Sequence, residues 1–401
     1  MGKRILLTES INAIAKSELE AKGHTVELIN YSPDKDELIE KLKNFDVIGI
    51  RSKTKITAEV LKEASHLHAI GCFCIGTNQV DLESAQEFGI PVFNAPHSNT
   101  RSVAELVIAE IVALARGLGD KNTNAHKGQW DKSAVGSVEV RGKKLGIVGY
   151  GHIGSQVSVL AEGMGLDVYF FDEAKKLPLG NATPLSSLKE LLSTCDFVTL
   201  HVPELPSTKD MITAKELSQM KKGSYLINAS RGTVVVINDL AAAIKEEHIA
   251  GAAVDVFPTE PASNKDEFQS PLQGLKNVIL TPHIGGSTEE AQISIGQEVS
   301  DSLNKFLNYG STAGAVNFPN LEMSYRNNYS RLTNVHLNEP GMLGQINNII
   351  SKAGVNIGGQ SLSTDEKIGY LIIDIDSKKD VQNLADEIKV LQKSVITRVL
   401  Y

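Results

Sequence analysis

The sequence contains little cysteine, no basic tract and no long uninterrupted apolar run, and each shortage excludes a class of protein. Only three of the 401 residues are cysteines, and no two of them have Cys-x-x-Cys spacing. A sparse, odd-numbered set of this kind supports neither a disulfide framework nor a zinc site. We therefore expect a chain that folds in a reducing compartment, the cytoplasm, without a structural metal.

Positive charge is in deficit, because 40 Lys and Arg residues stand against 48 Asp and Glu residues, a formal net charge of -8. An acidic chain without a basic cluster is not expected to take nucleic acid or an anionic membrane as its main partner. The most apolar long segment, residues 103–115, is interrupted by Glu105 and Glu110, so no membrane span is predicted. The apolar stretch near the amino terminus is also too short for a signal peptide.

What the sequence does contain is a regular alternation of short apolar runs and helix-period segments. The first hundred residues alternate in this way, which predicts a parallel sheet covered by helices. After a polar segment, residues 117–141, a second series between residues 144 and 282 has six predicted strands, the number in a complete dinucleotide-binding sheet. Residues 309–330 resemble a linker, and the remainder follows the β-α-β-β-α-β order of the ferredoxin-like arrangement. This predicts an α/β protein of two doubly wound domains followed by a smaller α+β domain.

The turn after the first strand of the second series has the spacing G-x-G-x-x-G, formed by Gly149, Gly151 and Gly154. Alone this spacing is a weak signal, because glycines also occur in ordinary strand–helix turns. Here an apolar strand precedes it and a helix follows. In that context the first glycine allows a tight turn, the second lets a pyrophosphate approach the backbone, and the third permits close helix packing. The phosphates would lie on the free amides at the helix amino terminus.

The next predicted strand ends at Asp172, which is 18 residues after Gly154. A carboxylate at this position accepts hydrogen bonds from the adenosine ribose hydroxyls and repels a 2′-phosphate. The following residue is Glu173 and not an arginine that would accommodate that phosphate. The sequence therefore predicts that the cofactor is NAD.

Three later segments each place one polar residue at a strand end or in the turn that follows, where open α/β sheets bind their ligands. These residues are Arg231, Glu260 and His283. Each alone has an ordinary explanation, as a surface arginine, a loop glutamate or a core histidine. Together they are the set that hydride transfer from a secondary alcohol needs. The imidazole is the base, the carboxylate favours the protonated form of that imidazole, and the guanidinium binds a substrate carboxylate next to the alcohol.

Two residue pairs could suggest a metal site, His66 with His68 and Cys72 with Cys74. Both are i, i+2 pairs around one predicted strand, and the sequence offers no third and fourth ligand near them. The alcohol chemistry described above also needs no metal. No metal site is therefore predicted.

The chain resembles the D-isomer-specific 2-hydroxyacid dehydrogenases over essentially its whole length. The most specific stretches are the segments around Arg231, Glu260 and His283, together with residues 71–81 (GCFCIGTNQVD), 94–96 (NAP) and 98–105 (SNTRSVAE). The resemblance implies a flavodoxin-like substrate-binding domain at residues 1–100, completed by residues 285–320, and an inserted Rossmann NAD-binding domain at residues 101–284. Residues 330–401 resemble an ACT domain, a ferredoxin-like module that binds small amino acids.

The resemblance also implies site residues by position. Contacts on the nicotinamide side fall on His152, Ile153, Ala229, Ser230, Arg231, Asp255, His283, Ile284, Gly285 and Gly286. Asp172 would contact the ribose. Substrate binding falls on Arg51, Lys53, Asn99 and Lys132, with Lys132 reaching the phosphate from a neighbouring subunit. Lys53 departs from the arginine usual in enzymes of this subtype, so a point charge replaces a bidentate fork.

The activity implied is NAD-dependent oxidation of 3-phospho-D-glycerate to 3-phosphohydroxypyruvate, the first step of L-serine biosynthesis, by a homo-oligomer expected to be a tetramer. Two alternatives remain: the same chemistry on another acid, such as 2-hydroxyglutarate, glycerate or lactate, and a dinucleotide-sensing corepressor without turnover. The cations Arg51, Lys53 and Lys132 favour a second anionic group on the substrate. The complete catalytic set disfavours the corepressor.

The ACT-like segment suggests feedback control, through residues 335–343 (VHLNEPGML) and 354–357 (GVNI). His336 and Asn338 are two residues apart at the end of the first predicted strand. Asn356 opens the second strand and would approach them from a neighbouring subunit. Together they offer partners for the polar groups of serine, so inhibition by L-serine is predicted. Glu339 departs from a basic residue that is common in bacterial members.

Overall fold

The computed structural model describes residues 2–261, 265–376 and 381–401. Contacts between residues divide the chain into two compact units, one formed by Met1–Ser98 and Gln292–Tyr401 and the other by Asn99–Ala291. Within the described ranges, no helix combines the length and the apolar composition that a membrane crossing requires.

The first unit begins with a five-stranded parallel sheet. Its elements are β1 (Arg4–Leu7), α1 (Ala13–Glu20), β2 (Thr25–Leu28), α2 (Lys35–Leu42), β3 (Val47–Ile50), α3 (Ala58–Glu63), β4 (Ala69–Cys72), α4 (Leu82–Glu87) and β5 (Val92–Phe93). The strand order β2-β1-β3-β4-β5 is the flavodoxin-like order. Alternate residues of β1 pack into different buried clusters, so Ile5, Leu6 and Leu7 form a continuous apolar run. The four helices begin after Asn12, Asp34, Thr57 and Asp81, whose side chains accept a backbone N–H of the first turn.

The second unit contains a seven-stranded parallel sheet. Its elements are α5 (Thr100–Arg116), α6 (Leu118–His126), β6 (Lys144–Val148), α7 (His152–Gly163), β7 (Asp167–Phe171), β8 (Thr183–Pro184), α8 (Leu188–Thr194), β9 (Phe197–Leu200), α9 (Ala214–Gln219), β10 (Ser224–Asn228), α10 (Ile237–Lys245), β11 (Ile249–Val254) and β12 (Val278–Leu280). The order β12-β11-β10-β9-β6-β7-β8 is the Rossmann order with β12 added at one edge. The six strands predicted from the sequence are present, and the two-residue β8 is additional.

The polar segment after α5 contains a helix that the sequence pattern did not predict. Helix α5 buries Val103, Val107, Ile111 and Leu114 at helical spacing, and it ends at Gly117, whose left-handed backbone has φ 57. Helix α6 follows directly and buries none of its residues. Because a helix without a buried face has no apolar periodicity, the pattern indicated an irregular segment there.

The carboxy-terminal part of the chain returns to the first unit. Its elements are α11 (Glu289–Tyr309), β13 (Ser330–Leu337), α12 (Met342–Lys352), β14 (Ile357–Thr364), β15 (Ile368–Ile375), α13 (Val381–Lys389) and β16 (Ser394–Val399). The antiparallel order β14-β15-β13-β16 is ferredoxin-like, and with the two parallel sheets it confirms the predicted fold class. One detail of the prediction was wrong: β14 starts at Ile357, so Asn356 precedes this strand and does not open it.

The antiparallel sheet shares a hydrophobic core with the amino-terminal sheet. Val335, Tyr370 and Ile372 belong to the same buried cluster as Ile5 and Phe93. The opposite face of the antiparallel sheet packs on its own helices in a separate cluster. Removal of this sheet would therefore expose apolar surface of the rest of the first unit.

The segment between α11 and β13 is tied down by a buried arginine. The Arg331 guanidinium donates to the Asp374 carboxylate at 2.6 and 2.8 Å. It also donates to the carbonyl oxygens of Tyr309, Met323 and Ser324 at 2.8–3.0 Å. Because a buried guanidinium must have its donors paired, these bonds hold the segment in place. The segment predicted to be a linker is therefore ordered and is bonded to the antiparallel sheet through Arg331.

Candidate active site

The turn between β6 and α7 fits the roles inferred for its three glycines. Gly149 has φ 91, and a Cβ there would lie 2.6 Å from a carbonyl oxygen in the segment after β9. A Cβ on Gly154 would collide with the Gly149 carbonyl oxygen, so this glycine permits close packing of helix and strand. A Cβ on Gly151 would meet no atom within 4 Å. The amino terminus of α7 is therefore open to a phosphate.

Asp172 lies directly after β7 and beside this turn. Its carboxylate accepts the backbone N–H of Tyr150 and of Ala174, each at 2.8 Å. The bond from Tyr150 places the carboxylate next to the middle of the glycine-rich turn, where a ribose ligand was predicted. His152 and Ile153 begin α7 on the same side. The turn, Asp172 and the helix terminus together fit the adenosine and pyrophosphate of a dinucleotide.

The turn after β10 carries Ala229, Ser230 and Arg231 and is organised by Asn228. The Asn228 Oδ1 accepts the backbone N–H (3.1 Å) and the hydroxyl (2.8 Å) of Ser230. Its Nδ2 donates to the Arg231 carbonyl oxygen at 3.1 Å. The sequence pattern predicts no role for Asn228. A polar residue at the buried end of a central strand was the signal available.

His283 and Glu260 form a hydrogen-bonded pair. The His283 Nδ1 and the Glu260 Oε2 are 2.9 Å apart, and the Glu260 Oε1 accepts the backbone N–H of Phe257 at 3.2 Å. A neutral ring that donates its Nδ1–H to the carboxylate keeps Nε2 as the proton acceptor. The two side chains are 53% and 36% exposed, so a substrate can reach the pair.

The electrostatics of the pair suit a general base. The hydrogen bond to Glu260 raises the pKa of His283; the charges of Glu260 and Asp255 add to this effect, while burial and Arg231 oppose it. The pKa of Glu260 lies below its ordinary value, although burial acts to raise it. Burial is outweighed by the hydrogen bond and charge of His283, by the Phe257 N–H and by the charge of Arg231. Arg231 influences both groups, so its charge lies near the pair. His283 can therefore accept a proton close to the positive charge of Arg231.

Asp255 holds the turn that carries His283. This carboxylate is 1% exposed and accepts the Thr281 hydroxyl (2.6 Å) and the N–H groups of Ile284 and Gly285 (2.8 Å each). The Asp255 carbonyl oxygen accepts the His283 N–H at 2.8 Å, and His283 has a left-handed backbone with φ 53. Thr281 was not predicted as a site residue. The nicotinamide contact predicted for Asp255 stays a prediction.

The predicted substrate residues fall in both units. In the second unit, Asn99 precedes α5; its buried Oδ1 has no hydrogen-bond partner among the described residues, and its amide fills the space beside Gly286. Lys132 is exposed in the segment after α6. In the first unit, Arg51 and Lys53 follow β3 and form no ion pair within the described part of the chain. Their contacts with substrate stay predictions.

Two of the predicted serine-binding residues differ in exposure. His336 is buried, its Nδ1 lies 2.9 Å from the Asn334 Oδ1, and burial lowers the pKa of His336. Asn338 is exposed just beyond β13, and its amide donates to the Asp365 carbonyl oxygen at 2.6 Å. The imidazole is therefore a neutral, already oriented group.

The third residue, Asn356, lies at the other end of the antiparallel sheet. His336 pairs with Gly369 at the start of β15, whereas Ile357 pairs with Ile375 at its end. Six residues along a strand correspond to about 20 Å. A single chain therefore does not bring Asn356 to the other two residues.

Comparison with known proteins identifies two sequence families in the chain. The NAD binding domain of the D-isomer specific 2-hydroxyacid dehydrogenases matches residues 108–285, and the AHAS small subunit-like ACT domain matches residues 332–396. The D-3-phosphoglycerate dehydrogenases of Haemophilus influenzae and Escherichia coli are each 52% identical to this chain, covering 99% of it and 97% of the relative.

Solved structures show the same likeness at lower identity. A D-lactate dehydrogenase from Aquifex aeolicus, complexed with NAD and lactic acid, is 27% identical with a TM-score of 0.68 and covers 79% of this chain and 99% of its own. The TT0316 protein from Thermus thermophilus is 32% identical with a TM-score of 0.68 and covers 75% of this chain and 95% of its own.

Proposed function

The chain belongs to the D-3-phosphoglycerate dehydrogenases of the D-isomer-specific 2-hydroxyacid dehydrogenase family, and we propose that it oxidises 3-phospho-D-glycerate to 3-phosphohydroxypyruvate with NAD, the first step of L-serine biosynthesis. The observation that carries the proposal is the hydrogen-bonded His283–Glu260 pair, influenced by Arg231, at the carboxyl end of the seven-stranded sheet. The 52% identity to named relatives over 99% of the chain supports the choice of substrate.

The three residues have different roles in the reaction. His283 takes the hydroxyl proton at Nε2 as the hydride leaves the substrate carbon. Glu260 accepts the Nδ1–H, which fixes the tautomer and stabilises the imidazolium that results. Arg231 anchors the neighbouring carboxylate and polarises the carbonyl oxygen in the reverse reaction. Bound NAD supplies the nicotinamide ring that accepts the hydride.

The proposed domains follow from this assignment. Residues 101–284 would bind NAD, which the open approach at Gly151 and the carboxylate of Asp172 support. Residues 1–100, completed by residues 285–320, would bind the substrate. Residues 330–401 would regulate the activity. A cytoplasmic location is part of the proposal and is supported by the low cysteine content, three residues in 401.

Substrate recognition is assigned to four residues. Arg51 and Lys53 would bind the phosphate, because both are cations without an ion-pair partner among the described residues. Lys132 would reach the same phosphate from a second copy of the chain. Asn99 would support the substrate carboxylate, and its unpartnered buried Oδ1 marks a group still to be paired.

A test of the proposal is His283→Ala. Removal of the base should lower the turnover of 3-phospho-D-glycerate by roughly a hundredfold or more, the usual contribution of general base catalysis. NADH formation at 340 nm measures the loss, and titration calorimetry with NADH checks that the cofactor still binds. Unchanged turnover in this variant would remove His283 from the mechanism.

A homo-oligomer, expected to be a tetramer, is supported by an exposed apolar groove on the second unit. The groove has a volume of about 500 Å³ and is lined mainly by Ile108, Ala109, Val112, Ala113, Leu118, Leu160 and Met164. Exposed apolar surface of this kind is stabilised when another copy covers it. Sedimentation should show an assembly larger than a monomer, and Leu118→Glu should weaken it. A wild-type monomer at micromolar concentration would contradict this part of the proposal.

Allosteric inhibition by L-serine is proposed at a site that two chains would share. Because Asn356 lies about 20 Å along the sheet from His336 and Asn338, a serine bound by all three needs a second copy. The strand β14, which follows Asn356, is an edge strand of eight residues and offers a pairing surface. Serine would act by binding an inactive arrangement more tightly than an active one.

The test of inhibition is activity against serine concentration in wild type and in Asn338→Ala. Wild type should lose activity at millimolar serine or below, and the variant should need more. Removal of the regulatory domain is not a clean alternative, since Val335, Tyr370 and Ile372 complete the core of the first unit. Insensitivity of wild type to millimolar serine would overturn the regulatory proposal and leave the dehydrogenase assignment standing.

A further inference from the structure

A strained turn directly after β1 holds a carboxylate against the loop that carries Arg51. Glu9 and Ser10 both have left-handed backbone, with φ 59 and 52, which is costly for residues other than glycine. Backbone bonds hold the turn: Glu9 N–H donates to the Tyr31 carbonyl oxygen (3.1 Å) and Ser10 N–H to that of Ile29 (3.2 Å). Strain of this kind persists where the surrounding structure enforces it, and it is concentrated at functional sites.

The Glu9 side chain accepts three backbone N–H groups of the loop after β3. Oε1 accepts those of Arg51 (3.1 Å) and Thr54 (2.8 Å), and Oε2 accepts that of Lys53 (2.9 Å). Backbone amides that converge on one point form an anion-binding nest. Because Glu9 fills this nest, an anionic substrate group cannot use these amides. The cationic side chains of Arg51 and Lys53 remain available to bind it.

The main-chain carbonyl group of Arg51 is held by the side chain of Gln79, a residue that is 4% exposed. The Gln79 Nε2 donates to the Arg51 carbonyl oxygen at 2.7 Å and to the Gly76 carbonyl oxygen at 3.1 Å. Gln79 thus joins the Arg51 loop to the glycine-rich segment around Gly76. The main chain at Arg51 is fixed at its N–H by Glu9 and at its carbonyl group by Gln79.

We propose that Glu9 and Gln79 are positioning residues for recognition of the second anionic group of the substrate. They fix the main chain on both sides of Arg51 and so orient its guanidinium. This inference rests on the proposed function, because it requires Arg51 to contact the substrate phosphate. A loop that is fixed before binding loses less conformational freedom when the substrate arrives, which raises affinity.

The test is a double-mutant cycle that joins Glu9→Gln with Arg51→Ala. In the wild-type background, Glu9→Gln should raise KM for 3-phospho-D-glycerate about tenfold, or ~1.4 kcal/mol. Its kcat and its KM for NAD should stay within about twofold, because the substrate phosphate, which the loop is proposed to recognise, takes no part in the hydride transfer. In the Arg51→Ala background, Glu9→Gln should change KM by less than about twofold, since no guanidinium remains to be oriented.

A matched control and a second variant complete the kinetic test. Glu59→Gln removes an exposed carboxylate paired with Lys35 in the same unit and should behave like wild type. Gln79→Leu should raise the KM for 3-phospho-D-glycerate, and this effect should also vanish in the Arg51→Ala background. A rise in KM that is equally large with and without Arg51 would overturn the proposal.

Hydrogen exchange provides a readout that does not depend on turnover. The amides of residues 51, 53 and 54 should exchange faster in Glu9→Gln than in wild type, and at the wild-type rate in Glu59→Gln. Wild-type exchange and wild-type KM in Glu9→Gln would overturn the proposal. Failure of the wild-type protein to form NADH from 3-phospho-D-glycerate would overturn the proposed function instead, and the exchange comparison would still decide whether Glu9 holds the loop.

Discussion

Asp255→Asn tests how the site holds its catalytic histidine. The Asp255 carboxylate is buried and accepts one hydroxyl and two backbone N–H groups from the turn around His283. An asparagine in the same place directs its NH₂ group at one or more of these donors. A buried donor without a partner costs about 1–3 kcal/mol. For a unit of this size, a loss of about 2 kcal/mol lowers the melting temperature by about 4–8 °C.

Turnover should fall with stability, because the same bonds keep His283 in its left-handed conformation. Misplacement of a catalytic group by about 1 Å can cost a hundredfold, so we expect kcat to fall at least about tenfold. Calorimetry without NAD isolates the effect on the turn from any contact with the cofactor. Thr281→Val is the matched control, because it removes one donor and leaves none unpaired, and its effect should be smaller. A melting temperature and a kcat equal to those of wild type would refute the reasoning.

Three further substitutions test the pair, the cofactor site and the anchor. Glu260→Gln removes the hydrogen bond and the charge that raise the pKa of His283, so this pKa should fall. Since only the neutral ring accepts a proton, the acid limb of the pH profile for oxidation should move to lower pH. An unmoved limb would contradict the pairing. Asp172→Ala should weaken NAD binding and reduce the preference for NAD over NADP, measured as the ratio of kcat/KM values; a wild type that prefers NADP would refute this role. Arg231→Lys should lower kcat/KM for the substrate about tenfold or more, because a point charge replaces a bidentate fork, and steady-state kinetics would show an intact value if the anchor lies elsewhere.

Features set by local sequence could be predicted, whereas features set by distant neighbours could not. The glycine turn and Asp172 follow adjacent strands and have fixed spacing, so their proximity was predictable from the parallel sheet. Asn228 and Thr281 act by hydrogen bonds to turns, which no spacing rule indicates. Glu9 lies far along the chain from its three amide partners in the loop after β3.

Glu110 shows how burial changes the interpretation of a charge. In the sequence it interrupts an apolar run and excludes a membrane span. In the structure it is 4% exposed, and both carboxylate oxygens lack a hydrogen-bond partner among the described residues. Burial, aided by the charge of Asp255, raises the pKa of Glu110 to about 8, so this group is mostly protonated at neutral pH. Whether a helical glutamate faces solvent or the core depends on which side of the helix packs against the sheet.

The most direct test of the whole account is NADH formation by the wild-type protein with a panel of 2-hydroxy acids. The account predicts that kcat/KM for 3-phospho-D-glycerate exceeds the values for D-glycerate and D-lactate by at least about a hundredfold, because cations placed for a phosphate are left unpaired by these two acids. It should also exceed the value for 2-hydroxyglutarate, whose distal carboxylate carries less negative charge than a phosphate. Equal or faster turnover of 2-hydroxyglutarate would contradict the substrate assignment. Tight NADH binding without turnover of any acid would contradict the assignment as an enzyme and favour a dinucleotide-sensing corepressor.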